Sequence, residues 1–220
     1  MPGFARWMYR TVRPRLGHRV LDAGAGLGTY TDLLVQDGRE VVSLEYNETF
    51  ARHIHERFAA DPRVWARQSD LSDPAGLPEF PPVESVICLN VLEHIEDDVR
   101  ALRNIRDRVL PDGTMMALVP SYPALFNGMD RAVGHHRRYR KQEFVRRLGE
   151  GGWVVENCRH FNVFGLPGWF VAGSLLKRTT PGRDLTRIFD RLIPVFSAAE
   201  NTVVRGAFGL SLLATCRRAD

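Results

Sequence analysis

The strongest constraint on the fold is a regular alternation of short apolar segments with amphipathic ones over about the first 120 residues. Arg19–Ala23 reads as a strand, and the glycine-rich turn after it leads into a helix running through Val35. Glu40–Leu44 reads as a second strand, Thr49–Ala59 as a helix, Arg63–Arg67 as a short strand and Ser85–Leu89 as a buried apolar strand. The stretch "EDDVRALRNIRDRVLPDG" opens on acidic residues, carries arginines towards its end and stops at Pro-Asp-Gly. That is the charge order a helix dipole favours. Val99, Leu102, Ile105 and Val109 keep roughly helical spacing, and Thr114–Val119 is a fifth strand. Such alternation predicts a doubly wound α/β fold, a parallel sheet with helices on both faces.

The second half of the chain departs from this rhythm. Gln142–Leu148 reads as a helix, Trp153–Arg159 as a strand and "GLSLLATCRR" (209–218) as a final strand. More than forty residues separate these two strands, too many for a structureless loop, so a helical insertion is expected over 162–206. In "DLTRIFDRLI" the residues Leu185, Ile188, Phe189, Leu192 and Ile193 form one apolar helix face. The apolar run 161–178, which ends in Lys177 and Arg178, has two readings: a lid or dimer face packed on the core, or an interfacial segment admitting a lipid-like substrate and peripheral membrane contact. Residues 1–17 are expected to form an N-terminal helical cap, with Phe4, Trp7 and Met8 as an opposite wall of the substrate pocket. All 220 residues are thus read as one domain, monomeric or homodimeric. The start of the chain lacks the apolar core of a signal peptide, and a cytoplasmic location is expected. Cys88, Cys158 and Cys216, an odd and scattered set, read as buried reduced thiols. A net charge of +4 allows acidic ligands without demanding them.

The chemistry-bearing residues lie where the strands end. "VLDAGAGLGTY" places Gly24, Gly26 and Gly28 between the first strand and its helix, with Asp22 just before them. Glycines there allow a tight turn and close ligand approach, although the spacing is not the dinucleotide G-x-G-x-x-G. Asp22 would sit badly beside a pyrophosphate and well beside a cationic ligand. Glu45 ends the second strand, where a carboxylate can accept both hydroxyls of a ribose, and Tyr46 follows it. Asp70 and Leu71 follow the third strand, and Asn90 the fourth. Singly, each residue fits a turn or a cap; together, in this order, they describe a nucleoside-binding edge.

On the segments "LDAGAGLG", "LEYNE", "SDL", "CLNVLEHIEDD" and "LPDGTMMALVP", the chain resembles the class I S-adenosylmethionine-dependent methyltransferases. The pair "LNVLEHIEDD" and "LPDG" resembles the small-molecule branch with its ubiquinone-type O-methyltransferases. "MDRAVGHHRRYRKQEF" resembles a bacterial subgroup with a G-H-x-R-R-Y segment. The resemblance implies a Rossmann-like, seven-stranded, mostly parallel sheet whose last strand is antiparallel. It implies S-adenosylmethionine as cofactor, with contacts at Asp22, Gly24, Gly26, Gly28, Glu45, Tyr46, Asp70, Leu71 and Asn90.

Methyl transfer to a small, hydrophobic acceptor, lipid-like or aromatic, is the expected reaction, with O-methylation the default and N- or C-methylation open. "GHHRRYR" (134–140) follows the fifth strand on the edge where such sheets present ligands. His135 is the leading candidate base, ahead of His136 and of His94 at the mouth of the fourth strand. Asp130, Arg137, Arg138 and Tyr139 are the candidate acceptor contacts. The rival reading of this stretch is a solvated charged loop. No metal is expected, since D-x-x-x-x-H-H matches no standard zinc spacing. Nor is nucleic acid, because the basic stretch is short. Two further functional readings remain: a non-catalytic S-adenosylmethionine-binding regulator or partner subunit, and a fold-mate that catalyses cyclisation.

Overall fold

The computed structural model describes residues 2–171, 183–200 and 206–220. Five parallel strands carry the first half: β1 (Arg19–Ala23), β2 (Glu40–Glu45), β3 (Val64–Gln68), β4 (Val83–Leu89) and β5 (Val109–Pro120). β6 (Trp153–Phe161) and β7 (Ser211–Arg218) complete a seven-stranded sheet of order β3-β2-β1-β4-β5-β7-β6. β7 runs antiparallel to both of its neighbours, β5 and β6. Strand order therefore reverses between β1 and β4, and a crevice opens outside the carboxyl ends of the strands at such a point.

The helices cover both faces. α4 (Asp98–Arg106) and α6 (Lys141–Glu150) bury Leu102, Ile105, Phe144 and Leu148 against Leu21, Val86, Met115 and Ala214 of one face. α1 (Pro2–Val12), α2 (Thr29–Gln36) and α8 (Arg183–Ala199) cover the other, where Met8, Leu34 and Ile193 meet Val20, Ile87, Met116 and Leu213. α3 (Glu48–Arg57) packs over β2 and β3. Two short helices, α5 (Gly128–Ala132) and α7 (Gly165–Trp169), lie in the connections after β5 and β6. The three cysteines are free and buried.

Three details differ from expectation. α4 stops at Arg106, and Val109 opens β5 beside Val83 instead of extending the helical stripe. Pro111 has no amide to give a helix, and Asp112 takes a left-handed φ of 61°, so the chain turns within the strand. Trp7 and Met8 are buried on the sheet face, with the Trp7 ring tilted against that of Phe161 at 4.4 Å between centroids, so α1 caps the core and does not wall the cleft. On α8, Ile193 is buried while Leu192 is exposed, a narrower stripe than expected; the side chains of Leu185 and Ile188 lie outside the described residues. Part of the apolar run 161–178, including Lys177 and Arg178, also lies outside them. No helix among the described residues is long and apolar enough to cross a membrane.

α1 is tied to α8 by one carboxylate. Asp190 Oδ2 accepts from the Gly3 amide at 3.1 Å and Oδ1 from the Phe4 amide at 3.0 Å, two amides that a helix start leaves without intrahelical partners. Asp190→Ala is expected to lower stability by about 1–2 kcal/mol, measured by urea unfolding. An unchanged midpoint would show that the tie contributes nothing.

Candidate active site

At the carboxyl ends of β1 to β4 lies a cleft of about 840 Å³. Gly24 and Gly26 form its floor with φ of 78° and 57°, in the left-handed region that suits glycine. A Cβ on Gly24 would lie 2.5 Å from a methyl of Val91, so no larger residue fits that turn. Glu45 is held firmly: Oε2 accepts from the Gly26 amide at 2.7 Å, and Oε1 from the Asn47 amide at 2.9 Å. Asp70 Oδ1 accepts from both the amide and the hydroxyl of Ser72 at 2.8 Å. Asn90 adopts φ 58°, an uncommon conformation that its amide bond to the Leu118 carbonyl helps to hold. Tyr46 is 72% exposed at the rim, beside Phe50.

The sequence-predicted cofactor residues divide here. Gly24, Gly26, Glu45, Tyr46, Asp70, Leu71 and Asn90 all line the cleft. Asp22 and Gly28 do not. Asp22 is buried behind the loop, where Thr31 donates to its Oδ2 at 2.7 Å; burial, opposed by this bond, pushes its carboxyl up to about 7. Gly28 caps α2 and packs towards Ile54 of α3.

The opposite wall comes from the segments after β4 and β5. His94 and His136 line it with Val91, Ile95 and Val133. His135 faces inward instead: its side chain is 11% exposed, with Nδ1 2.8 Å from Asp130 Oδ1 and Nε2 3.9 Å from Glu93 Oε1. Its ring meets that of His94 edge-on at 4.7 Å. Burial, with His135 and His136 nearby, holds the His94 imidazole below its ordinary range, and burial pushes the Glu93 carboxyl up to about 8.

The remaining acceptor candidates fasten the segment in place. Asp130 is buried and completes a capping box on α5 with Asn127. Arg138 is buried, donating to Asp130 Oδ1 at 2.9 Å and to the Ser121 carbonyl at 3.1 Å, with its guanidinium 4.6 Å from the Trp169 ring. Tyr139 is wholly buried; its hydroxyl donates to Asp98 Oδ2 at 2.8 Å and lies 3.1 Å from the Leu92 carbonyl. Arg137 donates to the Glu96 carbonyl at 2.8 Å and pairs with Asp98 at 3.3 Å. None of these four, expected as acceptor contacts, lines the cleft. Their burial and pairing correct the reading of a solvated charged loop.

The comparisons agree with this geometry. Residues 21–115 match a family model described as a methyltransferase domain. A "Probable S-adenosylmethionine-dependent methyltransferase" of Mycobacterium tuberculosis is 30% identical over 159 residues, 70% of this chain and 56% of that protein. Residues 21–115 are thus a methyltransferase domain by their match, and the chain resembles the S-adenosylmethionine-dependent methyltransferases. It spans only 56–64% of the length of the curated mycobacterial relatives it matches. An S-adenosylmethionine-dependent methyltransferase from Mesorhizobium loti superposes with a TM-score of 0.64 at 17% identity, covering 96% of this chain and 98% of that one. The [4+2]-cyclase SpnF superposes equally well, TM-score 0.64 at 13% identity over 99% of this chain and 80% of its own. Both likenesses show the fold alone.

Among the cleft residues, sequence reasoning missed Asn47, Phe50, Ser72, Val91, Ile95, Glu96 and Val133, and it passed over Glu93 behind the wall. Asn47 carried a signal, an Asn before a helical run; its side chain caps α3 through the Phe50 amide. Glu93 stood in the quoted "LEH", and only its burial distinguishes it.

Asp22 makes the stability of the fold pH-dependent. Its folded value of about 7 exceeds the ordinary 3.8, so between these values the folded state holds a proton that the unfolded chain has lost. This contribution to stability is complete below about pH 4 and is lost as pH rises through about 7. Asp22→Asn keeps an acceptor for Thr31 and lacks the titration. The stability difference between variant and wild type is expected to move in the variant's favour between pH 4 and pH 7, in urea melts. A constant difference across that range refutes the assignment.

Proposed function

We propose that the chain binds S-adenosylmethionine in the cleft at the β1–β4 edge and transfers its methyl group to the hydroxyl of a small, hydrophobic acceptor. The observation that carries this reading is the convergence of Gly24, Gly26, Glu45, Tyr46, Asp70, Leu71 and Asn90, from four strand ends, on one cleft faced by two imidazoles. In this reading Glu45, already fixed by two backbone amides, accepts from the ribose hydroxyls. Asp70 accepts from the adenine amino group, with Leu71 and exposed Tyr46 against the ring faces. Gly24 and Gly26 let the amino-acid portion lie against the backbone. The cofactor supplies an electrophilic methyl group and leaves as S-adenosylhomocysteine.

His136, exposed on the cleft wall, would take the proton of an acceptor hydroxyl placed there. Partial burial and the neighbouring His135 and His136 hold the imidazole of His94, beside it, below its ordinary range. Alignment of the two reactants contributes the larger share, roughly 7–11 kcal/mol of barrier in well-oriented systems. Phe50, Val91, Ile95 and Val133 give the cleft apolar surface, which supports a hydrophobic partner.

Glu45→Ala is expected to weaken S-adenosylmethionine binding at least about tenfold by calorimetry, the order of one lost charge-assisted hydrogen bond. Unaltered affinity refutes the ribose role. His136→Ala is expected to lower turnover by about 10²–10⁴-fold while cofactor affinity holds; wild-type turnover removes it as base. The reaction itself is tested with labelled S-adenosylmethionine and a panel of hydroxyl, amine and carbon acceptors. Tight cofactor binding with no S-adenosylhomocysteine from any acceptor would favour a regulatory or cyclising protein.

A further inference from the structure

We propose that Glu93, His94 and His135 form a binding site for a divalent transition metal of the zinc class, set in the wall of the cleft. Each residue offers one ligand atom, and the three atoms lie within 4.8 Å of one another. Metal–ligand bonds of roughly 2.0–2.2 Å in tetrahedral geometry place donors about 3.4 Å apart. The His135 Nε2 to Glu93 Oε1 distance is already 3.9 Å, so small side-chain rotations close the site.

Two observations point to a cation independently of proximity. The first is Glu93. It is 0% exposed, and neither carboxylate oxygen has a hydrogen-bond partner among the described residues. A carboxylate buried in this way is costly unless a cation or a donor meets it. The buried guanidinium of Arg138 already donates to Asp130 and to the Ser121 carbonyl. The second is the orientation of His135. Asp130 Oδ1 sits 2.8 Å from Nδ1, which fixes the proton on that nitrogen and leaves the Nε2 lone pair on the side facing Glu93. A carboxylate behind a histidine in this manner is the usual support of a metal-ligating imidazole.

The backbone holds the two contributing segments together. Glu93 and His94 lie on the helical turn Leu92–His94, and the His136 amide donates to the Glu93 carbonyl at 2.8 Å. The donor set, two imidazoles and one carboxylate, suits zinc, cobalt or nickel better than magnesium or calcium, which prefer all-oxygen sites. His94 also lines the cleft, so an ion held here borders the space where a hydroxyl acceptor is expected. There it would polarise an acceptor oxygen. That role rests on the methyltransferase reading; the binding of the ion does not.

The test uses the full chain without an affinity tag, stripped with a chelator and titrated with cobalt(II). A single equivalent taken up with visible ligand-field absorption, and displaced by zinc, is the expected result. Glu93→Gln and His135→Ala should each weaken cobalt binding at least tenfold. Should either variant fail to fold by circular dichroism, His94→Ala, at the more exposed position, carries the same expectation. Uptake undiminished in the folded variants overturns the proposal. So does the absence of any one-to-one site in the wild type, which would leave His135 as a bridge between Asp130 and Glu93. S-adenosylmethionine binding is measured by calorimetry on the same samples. Cobalt uptake without cofactor binding supports the site while refuting the methyltransferase reading, and the reverse result separates them the other way.

Discussion

The wall of the cleft depends on the buried carboxylate of Asp130. It accepts from the Asn127 amide, from His135 and from Arg138, three donors drawn from the start of α5 and from the segment beyond it. Burial alone would raise its carboxyl; the bonds from His135, Arg138 and Asn127 outweigh that and hold it below the ordinary range. Removing one partner of such a buried group is far more damaging than the mean value of a hydrogen bond suggests, because the others are left uncompensated. Through Asp130 the segment 127–138 becomes a closed loop, and His136 is presented to the cleft as a consequence.

A second anchor works in parallel. Tyr139 reaches under the β4 mouth to Asp98, which also receives Arg137 and Arg147. Asp98 opens α4, where a negative charge is favoured by the helix dipole. The mouth of β4, the start of α4 and the chain leaving β5 are thereby locked as one unit. The cofactor half of the cleft needs no such lock, since its residues sit on strand ends that the sheet already positions.

This contrast explains what was legible in the sequence. The alternation of strands and helices, the glycine turn and the carboxylates at strand ends are local signals, and the sheet converts them directly into a cleft. Asp22 and Gly28 fall outside the cleft lining because a strand and its turn send neighbouring residues to different sides: Asp22 points back to Thr31, and Gly28 has already entered the helix cap. Val109 kept a helical spacing by coincidence of period, while Pro111 and Asp112 decided for a strand.

The same logic governs the paired histidines. Their chemistry was readable; their directions were not, because adjacent residues of an irregular segment diverge and only the long-range partner selects which one turns inward. Asp130 makes that selection for His135. The residue that most resembled a free base is therefore the one whose ring is already engaged, and the one facing the cleft is its neighbour. A general base must reach the proton it removes, so reach ranks His136 and His94 above His135 before any acidity is considered. Inward placement in turn brings His135 to Glu93, a carboxylate that no local pattern marked, and makes the candidate base one side of a donor cluster in the cleft wall.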